Sequence, residues 1–529
     1  MDNTSSCSAT TQSSTIPHTP LLLFGLALAT GMEFYMFDSM NLVLPDITGG
    51  LGVSADEASW LLTLYSCSLF LGVPVSIWMA RYFGYKRFLI SSVLLFAIST
   101  IGCMMSPNLN VMLVWRSIQG LAGAGLTVWW RAAVYVLLPK SERSTSLMRI
   151  STGLFLSSAL GLVLSGILTD QFHWRLIFVP PIIYAAGAIW VLSKYFPDTQ
   201  EEYESHTSDS DIAGIILLAI SLISLQILLN RGHIDDWFGS PYIRILGCIS
   251  TITMIFFIFW QSSKHNAHPL LKLELLRNRH VISAALIGIF TGMILSGSLF
   301  VIPQFLRTIN SSTHSATQTG QIMCIYALAS AVMRPISPVI IPRLGQRKVL
   351  VLALSILITA MLLLHYDLTT TTPNNYFILP LILYGFCLAL LLPAVGSGTV
   401  ARIGKNELLD GVSLYMTFRQ FGASLGVALL TILLERRSSF HSSRLFENLN
   451  RGNEVTRNWL HDVSNTLFSR SGTSFIEAQR MGVKQLANFG KQQVSTLSYA
   501  DAFLFMALVG FAALCLIPII PPTPPTAKK

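Results

Sequence analysis

Residues 21–45 read LLLFGLALATGMEFYMFDSMNLVLP. As a helix rising ~1.5 Å per residue, the run is long enough to cross the ~30 Å hydrocarbon core of a bilayer. It also carries two carboxylates, Glu33 and Asp38. A charge at membrane depth costs roughly 2.5–3.5 kcal/mol on insertion scales, so such residues face a cavity or a partner. At ~100° per residue, with Glu33 as origin, Asp38 falls near ~140° and Asn41 near ~80°, between the two. One arc of the helix is polar and the rest is Leu, Phe, Met and Val. A helix bordering a water-accessible pathway has this pattern, and one or both carboxylates would then handle protons or a cationic substrate. The alternative is that a carboxylate pairs with an arginine on a neighbouring span and locks packing.

The rest of the chain agrees with a lipid environment. Of 529 residues, 52% are apolar and 12% charged, with a mean hydropathy of +0.58. Soluble proteins carry roughly 25% charged residues. The reading is an all-α polytopic membrane protein of fourteen spans, near 21–45, 59–80, 88–105, 110–137, 150–169, 176–196, 212–230, 241–262, 281–303, 317–341, 349–366, 376–400, 412–434 and 500–520. The net charge of +9 does not point to nucleic acid, because the basic residues sit in short loops between spans. Six cysteines (Cys67, Cys103, Cys248, Cys324, Cys387 and Cys515) fall in apolar runs and read as small buried hydrophobes; Cys7 is in the tail. No His/Cys/Asp cluster has metal-ligand spacing, so no metal, cofactor or enzyme activity is expected. With no Walker A pattern, the driving force would be an ion gradient rather than ATP.

An even number of spans puts both termini on one face. Short loops on that face hold Arg81, Lys86 and Arg87, then Lys140, Arg143 and Arg149, then Arg343, Arg347 and Lys348. Arg402 and Lys405 and the tail Lys528 and Lys529 add to them. Short loops on the other face hold Arg175, Arg231 and Arg307. Basic loops stay cytoplasmic, so both termini are expected there, in the cytoplasmic (inner) membrane. Residues 1–20 form a Ser/Thr-rich tail expected to be disordered, with no cleavable signal. Residues 21–196 make the first half, 197–262 a linker and helix pair, and 263–434 spans 9–13. A large external loop (435–499), the last span (500–520) and a cytoplasmic tail (521–529) follow. The acidic linker residues Asp198, Glu201, Glu202 and Glu204 read as solvated. Segments 442–467 and 475–497 of the external loop read as amphipathic helices broken near Ser471-Gly472. The second shows a face of Phe475, Ala478, Met481, Val483, Leu486 and Phe489. This loop is either a docking surface or a cap on the outer mouth.

Arginines inside spans need partners. Arg244 lies near a helix end and snorkels. Arg116 and Arg131 sit on one helix, ~60° and ~22 Å apart. Arg116, Gln119, Gly120 and Gly123 form a small-residue face where helices approach closely. Arg419 is followed by a similar face through Gly426, and Arg334 precedes Pro335 and Pro338, where span 10 should kink. Opposite Glu33 and Asp38, these arginines predict at least one buried ion pair, which protonation would break. Trp129, Trp130 and Arg131 read either as an inner vestibule or as interface anchors and packing. Asn41, Gln119, Arg334 and Arg419 complete the expected substrate cavity. Phe34, Tyr35 and Phe37 read as lipid or core contacts.

Several motifs resemble the fourteen-span branch of the major facilitator superfamily, the EmrB/QacA-type drug:proton antiporters. Asn41-Leu42-Val43-Leu44-Pro45-Asp46-Ile47 is similar to N-x-A-L-P-x-I, and Arg116-Ser117-Ile118-Gln119-Gly120-Leu121-Ala122-Gly123 to R-x-x-Q-G-x-x-G. Trp78 to Arg87, with Arg81, Gly84, Lys86 and Arg87, resembles the gating loop G-x-L-A-D-R-x-G-R-K. Pro342 to Lys348 echoes it, and His173 to Phe178 resembles the element opening span 6. Gly161 and Gly166 stand where the antiporter hinge G-P-x-x-G-G falls. The resemblance implies two six-helix halves around a cavity, an inserted two-helix hairpin, and a substrate site near midplane. It further implies proton coupling through Glu33, Asp38 and Arg116, export of amphipathic small molecules by alternating access, and a periplasmic adaptor of a three-part system as partner. The sequence departs from the pattern at Ile77 and Arg81, lacks the hinge proline and one glycine, and has Met36 where the family's membrane Asp falls. Those departures leave two alternatives: proton-coupled import of a metal chelate, siderophore or nutrient, and a non-transporting membrane scaffold or sensor.

Overall fold

The computed structural model describes residues 19–519, except 198–210, 233–234, 264–265, 267–268, 272, 310–314, 367, 371, 401–407, 449–452 and 472–473. Cys7, the acidic linker residues, Arg402, Lys405, Lys528, Lys529 and the side chain of Arg81 therefore lie outside the described residues. The first half comprises α1 (Thr19–Leu51), α2 (Ala55–Phe83), α3 (Tyr85–Met105), α4 (Leu109–Leu137), α5 (Lys140–Gln171) and α6 (Val179–Tyr195). A hairpin follows, α7 (Ile212–Arg231) and α8 (Pro241–Gln261). The second half comprises α9 (Arg279–Ile309), α10 (Ala316–Met333), α11 (Ser337–Leu344), α12 (Gln346–Tyr366), α13 (Ile378–Val400), α14 (Leu408–Asn448) and α16 (Phe475–Leu516), with α15 (Glu454–Ser471) between the last two. Among the described residues, fourteen helices are long and apolar enough to cross a membrane.

Local chemistry sets the boundaries. Ser54 and Glu57 form a reciprocal capping box at the start of α2, and Asn108 caps α4. Gly84 (φ +83°) separates α2 from α3, and Gly345 (φ +80°) separates α11 from α12. Both stand in the basic loop and its echo, where a left-handed turn requires glycine. Span 10 breaks as its prolines predict: α10 ends at Met333, a 3-10 turn covers Arg334–Ile336, and α11 follows.

In the first half α1 packs on α5 and α6, and α4 on α2 and α3; in the second α9 packs on α14, and α13 on α10 and α12. The halves meet chiefly along α5 and α10. A β-carbon at Gly166 would stand 2.7 Å from the Ala316 carbonyl oxygen, and one at Gly161 2.9 Å from that of Tyr35. These glycines permit close contacts, one between halves and one within the first. The Asp170 carboxylate accepts the backbone N–H groups of Ala316 (3.2 Å) and Thr317 (2.7 Å), capping α10 from the other half. Arg307 donates to Asp46 at 2.7 Å, tying α9 to α1 on the same face, away from the termini.

Three expectations need correction. Residues 435–499 are helical with a break where expected, α15 ending at Ser471 and α16 opening at Phe475, but the flanking helices are continuous with the spans rather than separate within a loop. Helix α14 has 41 residues and α16 has 42. Each is about 60 Å long, about twice the hydrocarbon thickness, so both helices continue past the membrane on the face away from the termini, with α15 between them. The expected apolar face on α16 is also divided: Ala478 is buried and Leu486 half-buried, while Phe475, Met481, Val483 and Phe489 are exposed. Of the cysteines, Cys67, Cys103 and Cys387 are buried, but Cys248 and Cys515 lie exposed on helices that would face lipid.

Candidate functional site

Two adjoining chambers lie between the halves. The inner one, about 80 Å³, sits midway along the bundle and is bordered by Glu33, Asp38, Tyr65, Phe155, Tyr326 and Arg419, among others. Phe34 and Phe37 also line it, so these rings are chamber wall, whereas Tyr35 packs against Tyr184 in the core. Both carboxylates are about 5% exposed (Glu33 6%, Asp38 5%). Tyr65 on α2 donates its hydroxyl to Glu33 Oε1 at 3.3 Å. Asp38 Oδ2 accepts from Ser158 on α5, and from the Tyr326 hydroxyl on α10 at 3.2 Å.

The predicted buried ion pair does not form. Among the described residues neither carboxylate makes a salt bridge with an arginine; hydroxyl groups hold both. Arg116, Arg131 and Arg334 are engaged elsewhere, whereas Arg419 borders the inner chamber and its buried Nε has no hydrogen-bond partner among the described residues. Arg116, 1% exposed, donates to Gln119 Oε1 and to the Leu61 carbonyl (3.4 Å), and its guanidinium lies 4.2 Å from the centre of the Tyr65 ring. It therefore lies against the ring whose hydroxyl binds Glu33. Gln119 in turn donates to Thr100 on α3 at 2.7 Å, so its amide fastens α4 rather than facing a chamber. Arg334 donates weakly to the carbonyls of Leu388 (3.5 Å) and Ala389 (3.4 Å) and stacks over Phe155. Pro393 explains this position, since Ala389 is the residue whose carbonyl the missing proline N–H leaves unpaired.

The aromatic pair on α4 also lies outside the chamber lining. Trp129 packs on Tyr85 and Phe88 and donates to the Ser76 carbonyl at 3.4 Å. Arg131 donates to the Thr127 carbonyl and stacks 4.0 Å over Trp130. Arg131 and Arg419 nonetheless lie within electrostatic range of Glu33. Lys86 is half-buried and Arg87 exposed in the basic loop beside Gly84.

The outer chamber, about 670 Å³, occupies the half of the bundle away from the termini. A drug-sized ligand needs roughly 300–1,000 Å³. It shares Phe37, Tyr65, Ser66 and Gln420 with the inner chamber, and Asn41 and Arg116 also border it. Gln226 and Asn230 of α7 border it too. The sequence reading missed these two, as it missed Tyr65, Ser158 and Tyr326. Isolated amides inside the apolar run 212–230 were the available signal.

The Major Facilitator Superfamily model matches residues 26–427. The chain belongs to this superfamily. Its fold and family are those of a transporter and not of an enzyme. Among similar proteins are the multidrug export protein EmrB of Haemophilus influenzae, 25% identical over 92% of this chain and 94% of the relative, and the probable multidrug resistance protein EmrY of Escherichia coli, 27% identical over 95% of each. Superfamily structures share the fold: a peptide transporter POT in complex with sulfate (14% identity, TM-score 0.59, 94% of each chain) and the human organic anion transporter MFSD10 (14%, TM-score 0.56, 93% of this chain and 98% of that one).

Proposed function

We propose that this transporter exports amphipathic small molecules in exchange for protons, alternating access about the inner chamber. The observation that carries this reading is Asp38, a buried carboxylate on α1 bound at once by Ser158 of its own half and Tyr326 of the other. As an anion it accepts both hydroxyls; protonated, it loses charge-assisted acceptance and the link between halves loosens. Glu33, on the other side of the same chamber, offers a cationic or polarised cargo a counter-charge. Cargo and proton then exclude one another, because a bound cation disfavours protonation of the neighbouring carboxylates. Arg116 holds Tyr65 in place for Glu33. The resemblance to multidrug export proteins supports a broad choice of cargo.

In this reading the basic short loops and both termini face the cytoplasm. The outward extensions of α14 and α16, joined by α15, then stand in the periplasm, where exposed Phe475, Met481, Val483 and Phe489 offer an adaptor protein a contact surface. The test is proton release from liposomes holding purified protein. Adding ethidium to wild type should move protons opposite to the dye, and Asp38→Asn should abolish that movement. Protons moving with the dye would indicate symport and refute the proposal.

A further inference from the structure

Helix α7 belongs to the inserted hairpin, yet it does not stand apart from the two halves. It packs on α2 of the first half and α14 of the second, over the seam between them. Its two faces differ sharply. Ile212, Ile216, Ile220 and Ile223 are exposed on the lipid side. Leu218 and Leu222 are buried and cluster with Phe70 of α2. Continuing that buried stripe at the same four-residue spacing come Gln226 and then Asn230, and both border the outer chamber.

An amide at this depth needs a reason. Gln226 is 1% exposed, and its Oε1 has no hydrogen-bond partner among the described residues. A buried acceptor left unpaired is costly, so a leucine would suit the stripe better unless something in the chamber donates to it. Asn230 donates to Thr63 at 3.4 Å, a long bond that leaves its carbonyl oxygen available. The charges of the chamber point to the kind of partner. No carboxylate appears among its described lining residues. Of its two arginines, Arg307 is neutralised by Asp46, while Arg116 spends its donors on Gln119 and the Leu61 carbonyl but keeps its positive charge, which disfavours a cation here. What remains is neutral amide and hydroxyl groups set among Phe37, Phe300 and Leu62.

We infer that the inserted hairpin is a wall of the transport route, and that Gln226 and Asn230 select uncharged, drug-sized amphiphiles with hydrogen-bonding heteroatoms in the outer chamber. This deepens the export reading and rests on it: cations are held at the inner carboxylates, uncharged cargo at the amides of α7.

Equilibrium binding to the purified full-length protein tests this without any proton gradient, so a failure of proton exchange leaves it intact. Three probes suffice: an uncharged aminocoumarin, ethidium and anilinonaphthalene sulfonate. Gln226→Met, which keeps length and packing, should weaken aminocoumarin binding about tenfold, the loss of one well-placed hydrogen bond. Adding Asn230→Leu should weaken it further, while ethidium binding stays unchanged. Ile220→Ala, on the lipid face, should alter none of the three. Unchanged aminocoumarin affinity in Gln226→Met would overturn the inference. So would an equal loss for all three probes, which would make the amide a packing residue.

Discussion

Glu33 and Asp38 lie five residues apart on one helix and border one chamber, yet they are held differently. Glu33 is bound from within the first half, by Tyr65 on α2, and Arg116 on α4 supports that tyrosine. Asp38 is bound across the divide, by Ser158 on α5 and Tyr326 on α10. A rocking motion of one half against the other leaves the Glu33 contacts intact and must stretch or break the Tyr326 contact. In the proposed cycle this contrast gives the two carboxylates different work: Glu33 would present charge to cargo, and Asp38 would control the relation of the halves.

The largest expected effect comes from removing the cross-half charge. Asp38→Asn should reduce gradient-driven ethidium transport to background while leaving ethidium binding measurable. If Glu33→Gln proves the more damaging to driven transport and the milder to binding, the two roles are reversed. Next is Arg116→Ala. It leaves the Gln119 oxygen without its donor and opens a space under Tyr65, so thermal unfolding should report a loss of about 3 kcal/mol. Arg334→Ala is a useful contrast. Its bonds are long, so the loss should be smaller even though the Ala389 carbonyl is left unpaired, and ethidium affinity should not change.

Tyr326→Phe keeps the ring and removes one donor to Asp38. It should favour separation of the halves by about 1 kcal/mol, seen as a shifted distance distribution between spin labels on α5 and α10. Smallest is the effect of Asp211, which caps α7 and ties the hairpin to the chain leading into α9. Burial by itself would raise its pKa. Hydrogen bonds from Trp260, Asn266, the Gly214 amide and Gln261 outweigh that and hold the carboxyl below its ordinary value. A depressed pKa adds stability that is present above the ordinary value and is lost as pH falls through the lowered one. Hydrogen exchange should therefore show Asp211→Ala loosening α7 and α8 by about 1 kcal/mol at pH 7, with the difference from wild type vanishing in acid.

The spans were legible because hydropathy and the confinement of basic residues to loops constrain them together. The break in span 10 was legible in Pro335 and Pro338. The polar arc of α1 was legible from helical spacing, and both carboxylates do border one chamber. Their partners were not. Tyr65, Ser158 and Tyr326 sit in apolar helices where a tyrosine or serine reads as packing, and only the tertiary fold brings three helices to two carboxylates. Arginines drew the expectation of ion pairs because their charge stands out in sequence. Backbone carbonyls, a neighbouring amide and aromatic faces hold Arg116, Arg131 and Arg334 instead, and Arg419 stays on the inner chamber without a salt bridge. The continuation of α14 and α16 past the membrane was hidden because hydropathy falls at the membrane surface while the helix continues.

In the proposed cycle Asp38 couples proton to motion and Glu33 does not. Measure dye-for-dye exchange without a gradient, alongside dye movement driven by a proton gradient, in the same liposomes for wild type, Asp38→Asn and Glu33→Gln. Asp38→Asn should retain exchange and lose the driven movement, while Glu33→Gln should lose both in proportion to weakened binding. Driven movement surviving in Asp38→Asn at the wild-type rate would contradict the proposed cycle.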